Sequence, residues 1–364
     1  MTTGIIYDPI YLEHRIGQHV ESHERLIAIM DLLKEKGILD DPNFKLIEPR
    51  SATLDQIRYV HSESLINEVK KISEIANSTG HIQNLDMDTS VSARTYEASL
   101  FSVGGNLEAV DRILKGDINN AFSIVRPPGH HSRKDKCSGF CIFNNIAITA
   151  EYLLREKKIK KLAIIDWDCH HGDGTQDIFY HGSPSEKSEV LFFSSHQDGR
   201  TLYPGSGFVN EVGSGKGEGK IINYPLPPKA ADDTLMIFFE EIIKPICYDF
   251  KPEFILISAG FDTHWTDRLT NMGWTYQAPA NFLYKLMTIA DDIVKGRIAI
   301  TLEGGYEIDK QAIAVYNCLR VLNNEKNRII EEKPRKSDKD LLNYINTKLI
   351  PSMKTKLSTY WNCF

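Results

Sequence analysis

DWDCHHGDG, residues 166–174, follows the apolar run LAII at 162–165, and the two together decide the fold class. The run is too short for a helix of its own and is flanked by lysines, which reads as a buried strand. Side chains along a strand alternate with a period of two, so Asp166, Asp168 and His170 fall on one face at its carboxyl end. That end is where open α/β sheets bind ligands. Two carboxylates and an imidazole would be costly to bury without partners, and a divalent metal is the simplest account of them.

Outward from this stretch the pattern repeats. Apolar, β-rich segments at 4–7, 121–125, 162–168, 190–196, 254–260 and 298–303 are separated in several places by amphipathic stretches such as 144–156, 233–249 and 280–294. Strands alternating with helices of that length predict a single-domain open, mostly parallel sheet with helices on both faces. Chemically loaded clusters follow five of these strands: RPPGHHSR (126–133), DWDCHHGDG, SHQD (195–198), AGFDTH (259–264) and LEGGY (302–306). Packing alone does not produce that coincidence.

At 364 residues and 41% hydrophobic content the chain is long enough for a large α/β core. Its net charge of −6 provides no general basic field for nucleic acid or acidic membranes, and neither is expected as a partner. The start, MTTGIIYDPI, has no basic n-region followed by a long apolar stretch, and no apolar run approaches a membrane span, so a cytoplasmic protein is expected. Of six cysteines only Cys137 and Cys141 lie close together, with neither redox nor zinc-ribbon spacing, and all are read as buried, reduced thiols. Residues 1–323 are read as the catalytic domain and 324–364 as a charged linker and helical tail. Within that region 323–340 reads as a linker or mobile loop, 341–357 as a short helix, and the basic residues as a solvated surface.

His130 and His131 follow Pro127, Pro128 and Gly129, which hold the backbone in a fixed turn. A histidine pair alone is weak evidence; beside a metal site at neighbouring strand ends it reads as catalytic. Neutral imidazole takes a proton near pH 7, and a carboxylate behind its other nitrogen fixes the tautomer and raises its basicity. Asp166 and Asp173 can supply those carboxylates. Asp262 stands where a third ligand is needed, although an Asp after a strand, taken alone, is more often a helix N-cap. Two Asp and one His leave coordination positions for water and a substrate carbonyl, as catalytic zinc requires, and suit ferrous iron as well. Tyr306 follows Gly304 and Gly305, which permit a tight approach or a flip of the loop. Its hydroxyl either caps the sheet or donates to an oxyanion. The glycine-rich run 205–219 fails as a phosphate loop, because Gly219-Lys220 is followed by Ile221, and reads as a surface loop. Phe140 and Tyr203 adjoin the clusters and read as walls of a substrate channel.

RPPGHH, GFCIFNN (139–145), DWDCHHGDGTQ, YPGSG (203–207), AGFD and LEGGY, in this order and spacing, resemble the zinc-dependent histone deacetylase family, which also holds acetylpolyamine amidohydrolases and acetoin-utilisation proteins. The resemblance runs from about Gly4 to about Asn323 and looks closer to prokaryotic and class II members than to class I. It implies the arginase-like open α/β fold. It implies Asp168, His170 and Asp262 as metal ligands, His131 as principal general base and acid, His130 assisting through charge, and Asp166 and Asp173 orienting the two histidines. Tyr306 is then the carbonyl-polarising residue. Gly139, Phe140 and Tyr203 line the channel for an acyl-lysine stem, Asp88 sits at its rim, and Arg25 lies by an acetate pocket. A potassium ion is implied against the Asp166, Asp168 and His170 carbonyls and Ser194. The chain departs from the family at HVESHERL (19–26), where the prolines of the prokaryotic pattern are missing, and at Tyr203, where Phe is usual. Leu269 stands where the polyamine-preferring class II enzyme has a glutamate.

The sequence thus reads as a metal-dependent amidohydrolase removing acetyl or another acyl group from lysine side chains of proteins. An acetylpolyamine or other small acetylated amine is the alternative substrate, and a catalytically silent acyl-lysine binding protein the alternative of another class. Retention of every presumed catalytic residue argues against the silent protein. An arginase-type ureohydrolase needs DxHxD ligands, a spacing DWDCHHGDG lacks. Nothing in the sequence fixes an oligomeric state.

Overall fold

All six apolar segments form strands, and the structure, a computed structural model describing residues 1–186 and 188–364, adds four more. In chain order they are β1 (Thr3–Ile6), β2 (Phe44–Ile47), β3 (Gln83–Asn84), β4 (Ser90–Val91), β5 (Asn120–Ser123), β6 (Lys161–Asp166), β7 (Glu189–Gln197), β8 (Ile221–Leu226), β9 (Phe254–Ala259) and β10 (Ile298–Leu302). β3 and β4 make a small antiparallel hairpin, and the other eight form one sheet in the order β2-β1-β5-β10-β9-β6-β7-β8. Every ladder of that sheet is parallel. The two large-sheet strands not expected from the sequence are its edges. Lys45 and Leu46 of β2 are exposed, which erases the apolar run. β8 contains Pro225, a residue tolerated in edge strands because its missing N–H faces away from the ladder.

Alternation along β6 divides the core. Leu162 and Ile164 pack with the helices Glu63–Thr79, Thr95–Lys115 and Asn145–Glu156, whereas Ala163 and Ile165 face Glu24–Glu35, Ala278–Ile293 and Ile308–Leu322. The stretch expected as a helix at 233–249 is helical without a gap from Asp232 to Phe250, but passes from Asp232–Phe238 through a π turn at Phe239–Ile243 into Lys244–Phe250. The tail divides the same way, into Lys339–Tyr344, Ile345–Leu349 and Ile350–Leu357. In both, a proline (Pro245, Pro351) stands two residues past the π turn. Proline cannot donate to the preceding turn and its ring crowds that turn's carbonyl, so widening the helix by one residue relieves both problems.

Residues 323–340, expected as a linker or mobile loop, are tied to the main body. Glu332 accepts from Trp265 Nε1 at 2.8 Å and Tyr276 N at 3.2 Å, and the Ser337 hydroxyl donates to Asp233 at 2.7 Å. Beyond them Ile345, Leu349, Ile350, Met353 and Leu357 are buried in the same core as the helix Ala278–Ile293. Five cysteines are buried and free; Cys363, expected to be buried, is exposed. Among the described residues no helix is long and apolar enough to cross a membrane.

At the carboxyl end the apolar strands stop at one level. Ser123, Thr301, Ser258, Asp166, Ser194 and Asn223 sit side by side on β5, β10, β9, β6, β7 and β8, all of them buried. This polar row is the floor from which the motif-bearing loops leave. The four central strands, β5, β10, β9 and β6, carry the four richest motifs, and the order of strand succession reverses there, β6 to β8 running outward one way and β9 to β10 the other, as at the binding crevice of an open α/β sheet.

Candidate active site

Beyond the polar row, Asp168, His170 and Asp262 each place a ligand atom within 4.8 Å of the others. His170 Nδ1 stands 2.8 Å from Asp262 Oδ2 and 3.3 Å from Asp168 Oδ1. Backbone donors aim the carboxylates: Cys169 N at Asp262 Oδ1, 2.9 Å, and Gly304 N at Asp168 Oδ2, 2.8 Å. Trp167 and Cys169, the alternate residues, point into the core, so the period-two reading holds past the end of β6. Gly260 is required here, because a Cβ on it would lie 1.9 Å from Asp168 Oδ2.

The histidine turn is hung from β5 and braced by the Asn144–Asn145 pair. Asn145 Nδ2 donates to the Pro127 carbonyl at 3.1 Å, while Asn144 Nδ2 donates to that of Ser132 at 3.0 Å and its Oδ1 caps the helix Asn145–Glu156. His130 Nδ1 then meets Asp166 Oδ2 at 3.0 Å and His131 Nδ1 meets Asp173 Oδ1 at 2.7 Å. The two rings lie 4.0 Å apart. Both expected His–Asp dyads are therefore formed, and Arg133 Nη2 donates to the other oxygen of Asp173 at 2.7 Å.

The neighbours give the two imidazoles opposite tendencies. Burial disfavours charge on His130, but the Asp168 and Asp166 carboxylates outweigh it and raise its pKa well above the usual histidine range. His131 is lowered to about 4 by burial and by the charge on His130, against the pull of Asp173. The negative field that protonates His130 is the same field a divalent cation would enter. Burial pushes the Asp166 carboxyl up to about 6 and keeps the Tyr306 phenol protonated, with its pKa well above the usual range.

Of the expected channel residues, Phe140 meets the Tyr306 ring edge-on at 6.0 Å and Tyr203 meets His131 at 5.1 Å. Gly139 (φ +56°) lets the chain press against the His131 ring; a Cβ there would stand 2.4 Å from its Cδ2. Asp88 already accepts from Gly139 N at 3.2 Å and from the Thr89 hydroxyl at 3.1 Å, so it holds the turn carrying Phe140. Leu269 is partly exposed in the loop after Asp262. Ser194 pairs in register with Asp166, its hydroxyl 2.8 Å from His196 Nδ1. Arg25 is buried behind Tyr306, bonding the carbonyls of Gly305 at 2.7 Å and Glu303 at 2.6 Å.

Glu303 and Asp267 belong to the site but were not assigned from the sequence. Glu303 accepts from Gly129 N at 2.8 Å, His130 N at 3.2 Å and the Ser258 hydroxyl at 3.3 Å, and burial pushes it up to about 7. Asp267 accepts from Tyr306 N at 2.8 Å and Leu269 N at 3.0 Å. A buried glutamate closing a strand, as in LEGGY, was the one available signal for the first; the second had none.

The family model of the histone deacetylase domain matches residues 19–322. A probable deacetylase of Archaeoglobus fulgidus is 37% identical over the whole of both chains. The chloroplastic histone deacetylase 14 of Arabidopsis thaliana is 35% identical over 86% of this chain and 75% of its own. Among solved structures, that of the HDA15 HD domain superposes with a TM-score of 0.83 at 29% identity, covering 98% of each chain.

Proposed function

The chain belongs to the histone deacetylase family, and from that premise we propose that this deacetylase removes acyl groups, most simply acetyl, from lysine side chains of proteins. The observation that carries the reading is the convergence of Asp168, His170 and Asp262 beside two His–Asp dyads and a protonated phenol. The ligand set fits a divalent metal: two carboxylates and one imidazole, all buried, with no Lys or Arg ion pair to either carboxylate among the described residues. Zinc, or ferrous iron, held there would polarise the acyl carbonyl and lower the pKa of a water. His131, neutral at pH 7, takes the proton from the attacking water. The Tyr306 hydroxyl donates to the oxygen on which negative charge develops. The histidine pair then returns a proton to the nitrogen of the leaving amine.

Phe140 and Tyr203 suit an aliphatic stem passing between them, with Asp88 fixing the turn beneath. A structural potassium ion is proposed for the Asp166, Asp168 and His170 carbonyls with Ser194, and the buried free thiols fit a cytoplasmic setting. A small acetylated amine is the second reading, favoured by Glu24 and Asp309 along a cleft of about 620 Å³ beside Tyr306, where Glu307 is already paired with Arg268.

Parallel assays of acetyl-lysine peptides and acetylated polyamines, with metal analysis, test both. Peptides are expected to give the higher kcat/KM, and Asp168→Ala or Asp262→Ala to lose metal and nearly all activity while remaining folded. Cleavage of acetylpolyamines at least about tenfold better would transfer the conclusion to the small amine. Full activity in chelator, with no stoichiometric metal, would sink the chemistry.

A further inference from the structure

Asp267 is a buried carboxylate with no Lys, Arg or His ion-paired to it among the described residues. A charge so placed is costly unless its oxygens are bonded, and here both are bonded to backbone N–H groups. Oδ2 accepts from Tyr306 N at 2.8 Å and Oδ1 from Leu269 N at 3.0 Å. The first bond joins two loops, the one after β10 that delivers Tyr306 and the one after β9 that carries Asp267; the second is a local turn that fixes the Asp267 side chain within its own loop. Tyr306 needs such a hold, because it follows Gly304 and Gly305 and the latter sits at φ +127°. Backbone there moves freely unless tied. Arg25 ties the far side of the hinge through the carbonyls of Glu303 and Gly305, and its guanidinium lies 5.3 Å from the Tyr306 ring centroid. Without Asp267, Tyr306 would be held only from behind. The phenol hydroxyl itself has no protein hydrogen-bond partner among the described residues, so its placement rests on this backbone and on the ring's contacts with Arg25 and Phe140.

We propose that Asp267 is a positioning residue for deacetylation, fixing Tyr306 where its hydroxyl meets the developing oxyanion and linking that placement to the loop carrying Leu269. The proposal rests on the reading of Tyr306 given above. Loss of the carboxylate is expected to act on turnover chiefly through Tyr306, so its effect and that of losing the hydroxyl should not multiply.

The test is a double-variant cycle in kcat on an acetyl-lysine peptide, using the metal-loaded full chain: the parent, Tyr306→Phe, Asp267→Ala, and both together. Asp267→Ala is expected to lower kcat by about tenfold or more, and the double variant to stay within roughly threefold of Tyr306→Phe alone. A merely structural role would give a double variant whose loss is the product of the two single losses, and that result overturns the proposal. So does an Asp267→Ala kcat within about twofold of the parent when Tyr306→Phe is impaired. An unimpaired Tyr306→Phe overturns the role of Tyr306 itself, and this proposal with it. Should Asp267→Ala fail to fold, Asp267→Asn, which retains one acceptor oxygen, completes the same cycle and is expected to lose less activity.

Discussion

His130 and His131 adjoin in sequence and their tilted rings lie 4.0 Å apart, yet they carry different charge because each faces a different set of carboxylates. His130 is held positive by Asp168 and Asp166, and its charge helps keep His131 neutral. Only His131 then has a lone pair to accept a proton. His131→Ala is expected to lower kcat by roughly 10² to 10⁴, more than His130→Ala, with metal content unchanged in both. Because its proton is taken up only near pH 4, the parent's activity should persist well below pH 6.5 before the acid limb appears. Turnover measured across pH for the three proteins decides this; a His131→Ala enzyme with parental kcat removes the assignment. These histidines, their aspartates and the metal-ligand set were legible in the sequence because the residue types themselves bear chemistry at fixed offsets from strands. Asp267 and Glu303 were not, since their bonds to Tyr306 N, Gly129 N and His130 N reach the backbone of residues distant in the chain, and no residue-type pattern marks a backbone donor.

At the scale of elements, the central strands were readable because burial on both faces makes them continuously apolar, as LAII and FILIS are. The edges β2 and β8 were not, because half-exposure and Pro225 remove that signal. The segment 323–340 is polar in composition, yet Glu332 and Ser337 turn that polarity toward hydrogen-bond partners in the main body, Glu332 accepting from Trp265 and Tyr276 and Ser337 donating to Asp233. Composition alone could not distinguish solvation from docking. The last helical segments act as part of the core: Ile345 is fully buried, and Leu349, Met353 and Leu357 nearly so. Ile345→Ala should therefore cost about 2–5 kcal/mol in urea unfolding while leaving kcat/KM near the parental value. A loss below about 0.5 kcal/mol would mean the segment lies on the surface.

For the molecule as a whole, several histidines are buried in the neutral form. Burial lowers His14 to about 3 and His61 to about 4, and the His61 ring has both nitrogens engaged, Nδ1 at the Arg133 carbonyl and Nε2 accepting from Asn144 N. His171 is lowered to about 3 by burial as well. In the unfolded chain these rings would take protons near the ordinary 6.5. The unfolded state then binds more protons below that value, so this contribution to stability is complete above pH 6.5 and is lost as pH falls toward 4. The urea midpoint should drop across that window, and His61→Gln should flatten part of the drop; a midpoint constant from pH 7 to 4 would contradict it.

The strand order has a consequence for how the catalytic floor comes into being. β10 lies between β5 and β9 although it is the last strand in the chain. During synthesis, β5 and β9 are therefore expected to lack the strand that joins them, and Ser123 and Ser258 to enter one row only once residues 298–302 arrive. Non-local parallel pairings of this kind are slow to form. The ligand triad is complete in sequence at Asp262, but its Asp168 carboxylate is aimed by Gly304 beyond the missing strand. A chain ending before residue 298 is thus expected to hold no stoichiometric zinc at equilibrium, which dialysis and metal analysis can check. Metal uptake is then expected to be a late event in the life of each molecule, with the nascent chain silent until its final strand has closed the gap.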